Sequence, residues 1–341
     1  MMVVSKQHQI FFDFLRFCIG SESEIPSSLK EADWKELYRI AQKQCLVGIL
    51  FDGIQKLPST EVGMSKDLLL QWMMQCQMLE KANVRLNDAA IQVSEWFRKK
   101  GFRTCILKGQ GNALMYPNPY SRTPGDIDIW VEGGDERVIS FVRSISPYEK
   151  ACYHHIEFPS YKGVEVEVHY RPSFLLCFWH NRKLQKYYER VKEEQFSHRV
   201  ILGEQGEIAI PTVEFNLIFQ LTHIYAHLMN EGIGLRQLLD YYYVLISDDL
   251  LVISDDLLVI RDRVQKELKE LGLWKFAGAI MYIMQEVFGM PASRLITPPN
   301  EKYGRFVLNE VLEAGTLESM IKGIAWGSHS WGIISKGCIE T

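Results

Sequence analysis

The sequence predicts an α+β fold, a small mixed β-sheet core flanked by N-terminal and C-terminal helical regions. Three observations predict it. From residue 7 to about 100, apolar residues recur with helical i, i+3/i+4 spacing. Between about 101 and 178 the texture changes to short β-rich runs broken by Gly and Pro. Beyond about 179 the helical rhythm returns. The expected organisation is an N-terminal helical region at 1–100, an α/β core at 101–178, and a mainly helical region with a small β-hairpin at 179–341.

The elements follow in order. Ile10, Phe11, Phe14, Leu15 and Cys18 share one helical face. Ser28 is placed to cap a helix through Trp34, Leu37, Tyr38, Ile40 and Ala41. Ser65 opens a long helix carrying Leu68, Trp72, Leu79, Leu86, Ala90, Val93 and Phe97, which Lys99-Lys100-Gly101 ends. Strands are expected at Thr104–Leu107, Asp126–Val131, His154–Phe158 and Val164–Tyr170. Asn112–Tyr116 reads as one or two helical turns and Asp135–Ile145 as a helix. A hairpin is expected through 198–202 and 207–210, then helices at 214–230, 235 to about 262, 265–288, and from 299 to about 321. The heptapeptide ISDDLLV occurs twice in tandem, at 246–252 and 253–259. Seven residues is nearly two helical turns, so the duplication keeps an apolar stripe roughly in phase. It reads as a lengthened helix or loop, the alternative being an acidic or Ca²⁺-binding repeat.

Composition is that of an ordinary soluble protein of 341 residues, 47% hydrophobic and 23% charged. A net charge of −4 argues against an extended nucleic-acid surface, which needs Lys and Arg to neutralise phosphates. Seven scattered cysteines, with no C-x-x-C, read as reduced thiols of a cytoplasmic, bacterial-type protein. No apolar run reaches membrane-spanning length.

The chemistry concentrates around Arg122-Thr-Pro-Gly125-Asp126-Ile-Asp128-Ile-Trp-Val131. On a strand, residues two apart face the same way, roughly 7 Å apart. Asp126 and Asp128 therefore present two carboxylates on one side while Ile127 and Ile129 enter a core. Like charges that close are tolerable with a divalent cation between them, and hard oxygen donors suit Mg²⁺, which usually brings a nucleotide's phosphates with it. Upstream, the strand-turn Ile106-Leu107-Lys108-Gly109 offers a phosphate close backbone approach and a positive charge. No Walker A loop occurs. Downstream, Glu165, Glu167 and His169 share one face of a strand whose valines share the other. Such a face serves equally as a solvated sheet surface.

The ordered set Leu107-Lys108-Gly109, Arg122, Gly125-Asp126-Ile-Asp128 and Glu167-Val168-His169 resembles the DNA polymerase β-type nucleotidyltransferase superfamily. More narrowly, it is similar to an uncharacterised bacterial branch with helices on both sides of its catalytic unit. The similarity extends over roughly residues 30–290. It takes in His223-x-x-x-His227 and Gly234-Leu-Arg236-Gln-Leu-Leu-Asp240. The resemblance implies an NMP transferred from an NTP to a hydroxyl of a small-molecule or protein acceptor, with Mg²⁺ or Mn²⁺ held by Asp126, Asp128 and Glu167. It implies nucleotide contacts from Lys108, Gly109, Gln110 and Arg122, with Gln110 standing where the superfamily has serine. Glu165, His169, His223, His227, Arg236 and Asp240 fall on the acceptor side. The plainer alternatives are surface charge for Lys108 and Arg122, a core or pocket lining for the two histidines, and an intrahelical ion pair for Arg236 with Asp240. His154-His155 opens a strand, and nothing in the local pattern there requires a metal. The competing functions are a metal-dependent glycosyltransferase, disfavoured because no large parallel α/β domain precedes the D-x-D, and a catalytically silent nucleotide-binding or antitoxin-like protein.

Overall fold

The computed structural model describes residues 5–58, 63–203, 206–230, 232–247 and 257–314. Four helices come first: α1 (Lys6–Ile19), α2 (Trp34–Lys43), α3 (Val47–Lys56) and α4 (Lys66–Lys99). The central unit follows as β1 (Thr104–Ile106), the single turn α5 (Gln110–Ala113), β2 (Ile127–Val131), α6 (Gly134–Ile145), β3 (His155–Tyr161) and β4 (Val164–His169). Then come α7 (Phe178–Ser197), the hairpin β5 (Arg199–Leu202) and β6 (Gly206–Ala209), and α8 (Val213–Asn230), α9 (Leu235–Ile246), α10 (Leu257–Glu270), α11 (Trp274–Glu286) and α12 (Glu301–Ala314). The architecture is α+β, as the periodicity predicts.

The sheet order is β1-β2-β4-β3, with β2 and β4 parallel and both edges antiparallel. Register puts Asp128 beside Glu167 and Trp130 beside His169, which in turn faces His155. Side chains in register share a face, so one face of the sheet carries the polar row. The opposite face is apolar. Ile106, Ile127, Ile129, Val166, Val168 and Ile156 pack there against Leu86, Val93 and Phe97 of α4 and Val138 and Val142 of α6. The polar face meets a second core, to which Cys105, Leu107 and Trp130 contribute alongside Phe215, Phe219 and Leu221 of α8. That core is continuous with the N-terminal helices, so the helices on either side of the sheet in sequence are joined in space.

Three boundaries differ from the sequence reading. Asp33, not Ser28, caps α2, accepting from the amides of Lys35 and Glu36; Ser28 sits in a 3₁₀ turn and donates to Asp13. A carboxylate directly before the helix reaches its free amides, whereas a hydroxyl six residues upstream does not. Helix 265–288 is broken at Gly272, whose φ of +71° ends α10 and lets Leu273 begin α11. The helix expected from 235 to about 262 ends at Ile246 as α9 and resumes as α10. Most of the ISDDLLV repeat lies outside the described residues, as does the tail beyond Ala314. Ser65 caps α4 by accepting from Leu68 N–H, as expected. Among the described residues no helix is long and apolar enough to cross a membrane, and the cysteines are free thiols.

Candidate active site

Asp126 stands at the mouth of β2 and Asp128 inside it, while Glu167 comes from the parallel neighbour β4. Donor oxygens of the three lie within 4.8 Å of one another. Asp128 is 3% exposed, so its charge needs partners. It has two: Lys108 Nζ lies 2.9 Å from Oδ2, and His169 Nε2 lies 3.0 Å from Oδ1. Burial opposes the Asp128 charge, but Lys108 and His169 outweigh it and hold its pKa well below the carboxylate range. Asp126 goes the other way. The like charge of Asp128, then burial, raise its pKa, with Lys108 only partly offsetting them. Glu167 is held low by a hydrogen bond from His169, against burial. His169 Nε2 reaches Glu167 Oε2 at 3.4 Å as well. Burial works against protonation of that imidazole, but the two carboxylates carry its pKa up to about 9. Three carboxylates thus face two cations, an excess of negative charge that a divalent cation would complete, and the donor set is all oxygen.

Lys108 reaches the cluster because β1 ends beside β2: Leu107 N–H donates to Asp128 O at 2.9 Å. On its other side the ammonium donates to His223 Nε2 at 3.1 Å. Burial, then Lys108 and His227, keep His223 neutral by lowering its pKa. His227 packs edge-on to His223, ring centroids 4.1 Å apart. Burial opposes the Lys108 charge too, but Asp128 and Asp126 raise its pKa overall. Gly109 turns the chain at φ +59°, ψ −107°, a conformation L side chains rarely adopt. The Gln110 side chain is buried against α4, bonded to Asn87.

The structure places the remaining residues elsewhere. Arg122 is 3% exposed, and its Nε and Nη2 each donate to Asp240 at 2.8 Å. Tyr116 Oη adds a third bond to Asp240 at 2.7 Å. Arg236 donates to Thr123 O at 3.0 Å, so neither Arg236 nor Asp240 needs the other as its hydrogen-bonding partner. These bonds tie α9 to the loop leading into Asp126. Asn83 of α4 holds the same loop, donating to Tyr120 O and Arg122 O at 3.0 and 2.9 Å. Glu165 is exposed two residues before Glu167. Sequence reasoning missed Tyr116 and Asn83; an asparagine on the core-facing side of a long helix was the available signal.

An acidic trio on adjacent strands, with a lysine and a glycine turn at the next strand's end, forms one cluster whose carboxylates could hold a metal ion. Residues 30–289 match the family described as uncharacterised nucleotidyltransferase, and the chain belongs to that family. No curated protein matches it. A crystal structure of an antigenic nucleotidyltransferase-like protein from Paracoccidioides brasiliensis aligns over 54% of this chain and 92% of that one. Its identity is 15% and its TM-score 0.29, a likeness too low to bear on function.

Proposed function

We propose that this chain moves a nucleoside monophosphate from an NTP to a hydroxyl of a small-molecule or protein acceptor. The observation that carries this is the convergence of Asp126, Asp128 and Glu167 within 4.8 Å, with Lys108 on the same cluster. Asp126, Asp128 and Glu167 would hold Mg²⁺ or Mn²⁺, which when bound neutralises phosphate charge and aligns the attacking and leaving oxygens. The protein's own groups do the rest. Gly109 opens the backbone to the phosphates and Lys108 offsets their charge. His223, kept neutral, accepts from Lys108 and aims the ammonium. His169 holds Asp128, and a Glu167 oxygen, ionised, takes the acceptor hydroxyl's proton. Arg122, Asp240, Arg236 and Gln110 act as positioning residues that fix the loop and turn; His227 and Glu165 border the acceptor side.

A second reading, nucleotide binding without turnover, draws on one observation. Both oxygens of Asp128 are engaged, by Lys108 and His169, and the Gln110 amide faces α4 rather than the turn. One experiment separates the two. The protein is incubated with Mg²⁺, NTPs labelled at the α-phosphate, and a lysate as acceptor source, while its melting temperature is followed with Mg²⁺ and each NTP. Transfer of label, lost in Asp126→Asn and Asp128→Asn, supports the enzyme. A melting rise without label transfer supports the silent protein. A rise unchanged in both variants puts the nucleotide elsewhere.

A further inference from the structure

Beside the carboxylate cluster, at the entry to β3, lies a second group of donors of different chemistry. Cys152, His154 and His155 each bring one donor atom within 4.8 Å of the others'. The chain reverses at this point. Ala151 bridges Ile156, and Cys152 N–H donates to His155 O at 2.9 Å, leaving Tyr153 and His154 as the turn. The turn is fastened to the end of β4, because the amides of Tyr170 and Arg171 both donate to His154 O, at 3.0 and 3.1 Å, and Tyr170 Oη donates to Cys152 O. The backbone that presents the three side chains is thus set by bonds that involve none of them.

The side chains converge on one another. Cys152 Sγ lies 3.4 Å from His154 Nδ1, and His154 Nε2 lies 3.1 Å from His155 Nδ1. The rings of His154, His155 and His169 stand 4.5, 5.3 and 5.2 Å apart, a triangle of imidazoles. Phe174 covers the outer side of His154, 4.9 Å between centroids. Cys152 is exposed, so the group opens to solvent. Tetrahedral bonding at about 2.0–2.1 Å to nitrogen and about 2.3 Å to sulfur sets donor–donor edges of roughly 3.4–3.6 Å. Taken one atom per residue, the three donors lie within 4.8 Å of one another, so a bound ion would draw them together by about 1 Å to reach those edges.

We propose that Cys152, His154 and His155 form a binding site for one soft divalent transition-metal ion of the zinc class, separate from the oxygen-only site of Asp126, Asp128 and Glu167. A thiolate and two imidazoles select zinc or cobalt over magnesium, which takes oxygen donors and keeps its water. Three protein ligands leave the fourth position to solvent or to a group on the carboxylate side. His155 stands nearest that side, its Nδ1 3.4 Å from Glu167 Oε2.

The test titrates the metal-free full-length protein with Co²⁺ in excess Mg²⁺, and then displaces Co²⁺ with Zn²⁺. One equivalent should bind with a near-ultraviolet thiolate-to-cobalt charge-transfer band and the visible absorption of four-coordinate Co²⁺, both lost on adding Zn²⁺. Cys152→Ser should remove the band, and His154→Ala should weaken binding by more than the roughly 10–100-fold typical of an outer-shell partner. Asp126→Asn should leave the band in place. Metal-free melting temperatures near wild type show that the variants fold, and Cys152→Ala gives a second variant should Cys152→Ser misfold. Binding without the charge-transfer band, binding abolished by Asp126→Asn but kept in Cys152→Ser, or no stoichiometric binding at all would each overturn the site.

Discussion

The buried trio of Arg122, Asp240 and Tyr116 gives the sharpest quantitative test of what holds the loop leading into Asp126. Arg122 and Asp240 are 3% and 5% exposed, and the guanidinium meets the carboxylate edge to edge through two 2.8 Å bonds. Asp240→Asn keeps the shape but removes the charge, leaving a buried guanidinium uncompensated. Breaking one partner of such a pair costs about 3–5 kcal/mol. With an unfolding entropy of about 2.1 cal/mol/K per residue, a chain of this length loses on the order of 4–7 °C in Tm for that cost. Arg122→Met with Asp240→Leu removes both charges together and should recover most of the loss, since apolar replacement of a buried pair is often neutral. Tyr116→Phe alone should cost about 1 kcal/mol, the net worth of one hydrogen bond. The assay is thermal unfolding followed by circular dichroism, with and without Mg²⁺ and NTP. The reasoning is refuted if Asp240→Asn moves Tm by less than about 1 °C. It is equally refuted if Arg122→Met keeps the ligand-free Tm while abolishing the nucleotide-dependent rise, because Arg122 would then be a phosphate ligand and not a strut.

Two further expectations concern the site itself. His169, with a folded pKa of about 9 against an ordinary value near 6.5, should stabilise the metal-free protein fully below about pH 6.5 and lose that contribution as pH rises through about 9. The full effect is on the order of 3 kcal/mol. Urea unfolding of wild type and His169→Gln across this range should therefore converge toward high pH, and a gap that stays constant would exclude the imidazolium. The Cβ that Gly109→Val adds meets its nearest neighbour, Asp126 O, at an ordinary 3.5 Å, and backbone strain at φ +59° costs about 1–3 kcal/mol. Nucleotide affinity measured by calorimetry should fall further than stability does, and normal binding by this variant would relocate the phosphate turn.

Much of the site was legible along the chain because it rests on local rules. Alternation in Asp126-Ile-Asp128-Ile dictates which residues are polar-facing on β2, and the same rule aligns Glu167 with His169 on β4. The choice of Glu167 over Glu165 followed the resemblance, and register explains it, since Glu167 pairs with Asp128. The chemistry of Cys152-Tyr-His154-His155 was not legible. Its three donors converge through a chain reversal pinned by amides of Tyr170 and Arg171, and such long-range bonds leave no periodic trace.

By itself the sequence determined the fold class, the order of helices and strands, and the faces of the strands, because backbone periodicity and burial act over a few residues. Only the tertiary structure decided which charges meet. Arg122 reads as a cation beside a D-x-D motif, yet Asp240, 118 positions away, takes its Nε–Nη2 edge. Arg236 and Asp240, one helical turn apart, turn instead to Thr123 and Arg122. Lys108 is divided between Asp128 and His223 because α8 packs over the polar face of the sheet. A buried charge takes the partner that desolvation makes necessary, and that partner is set by how helices dock rather than by spacing along the chain.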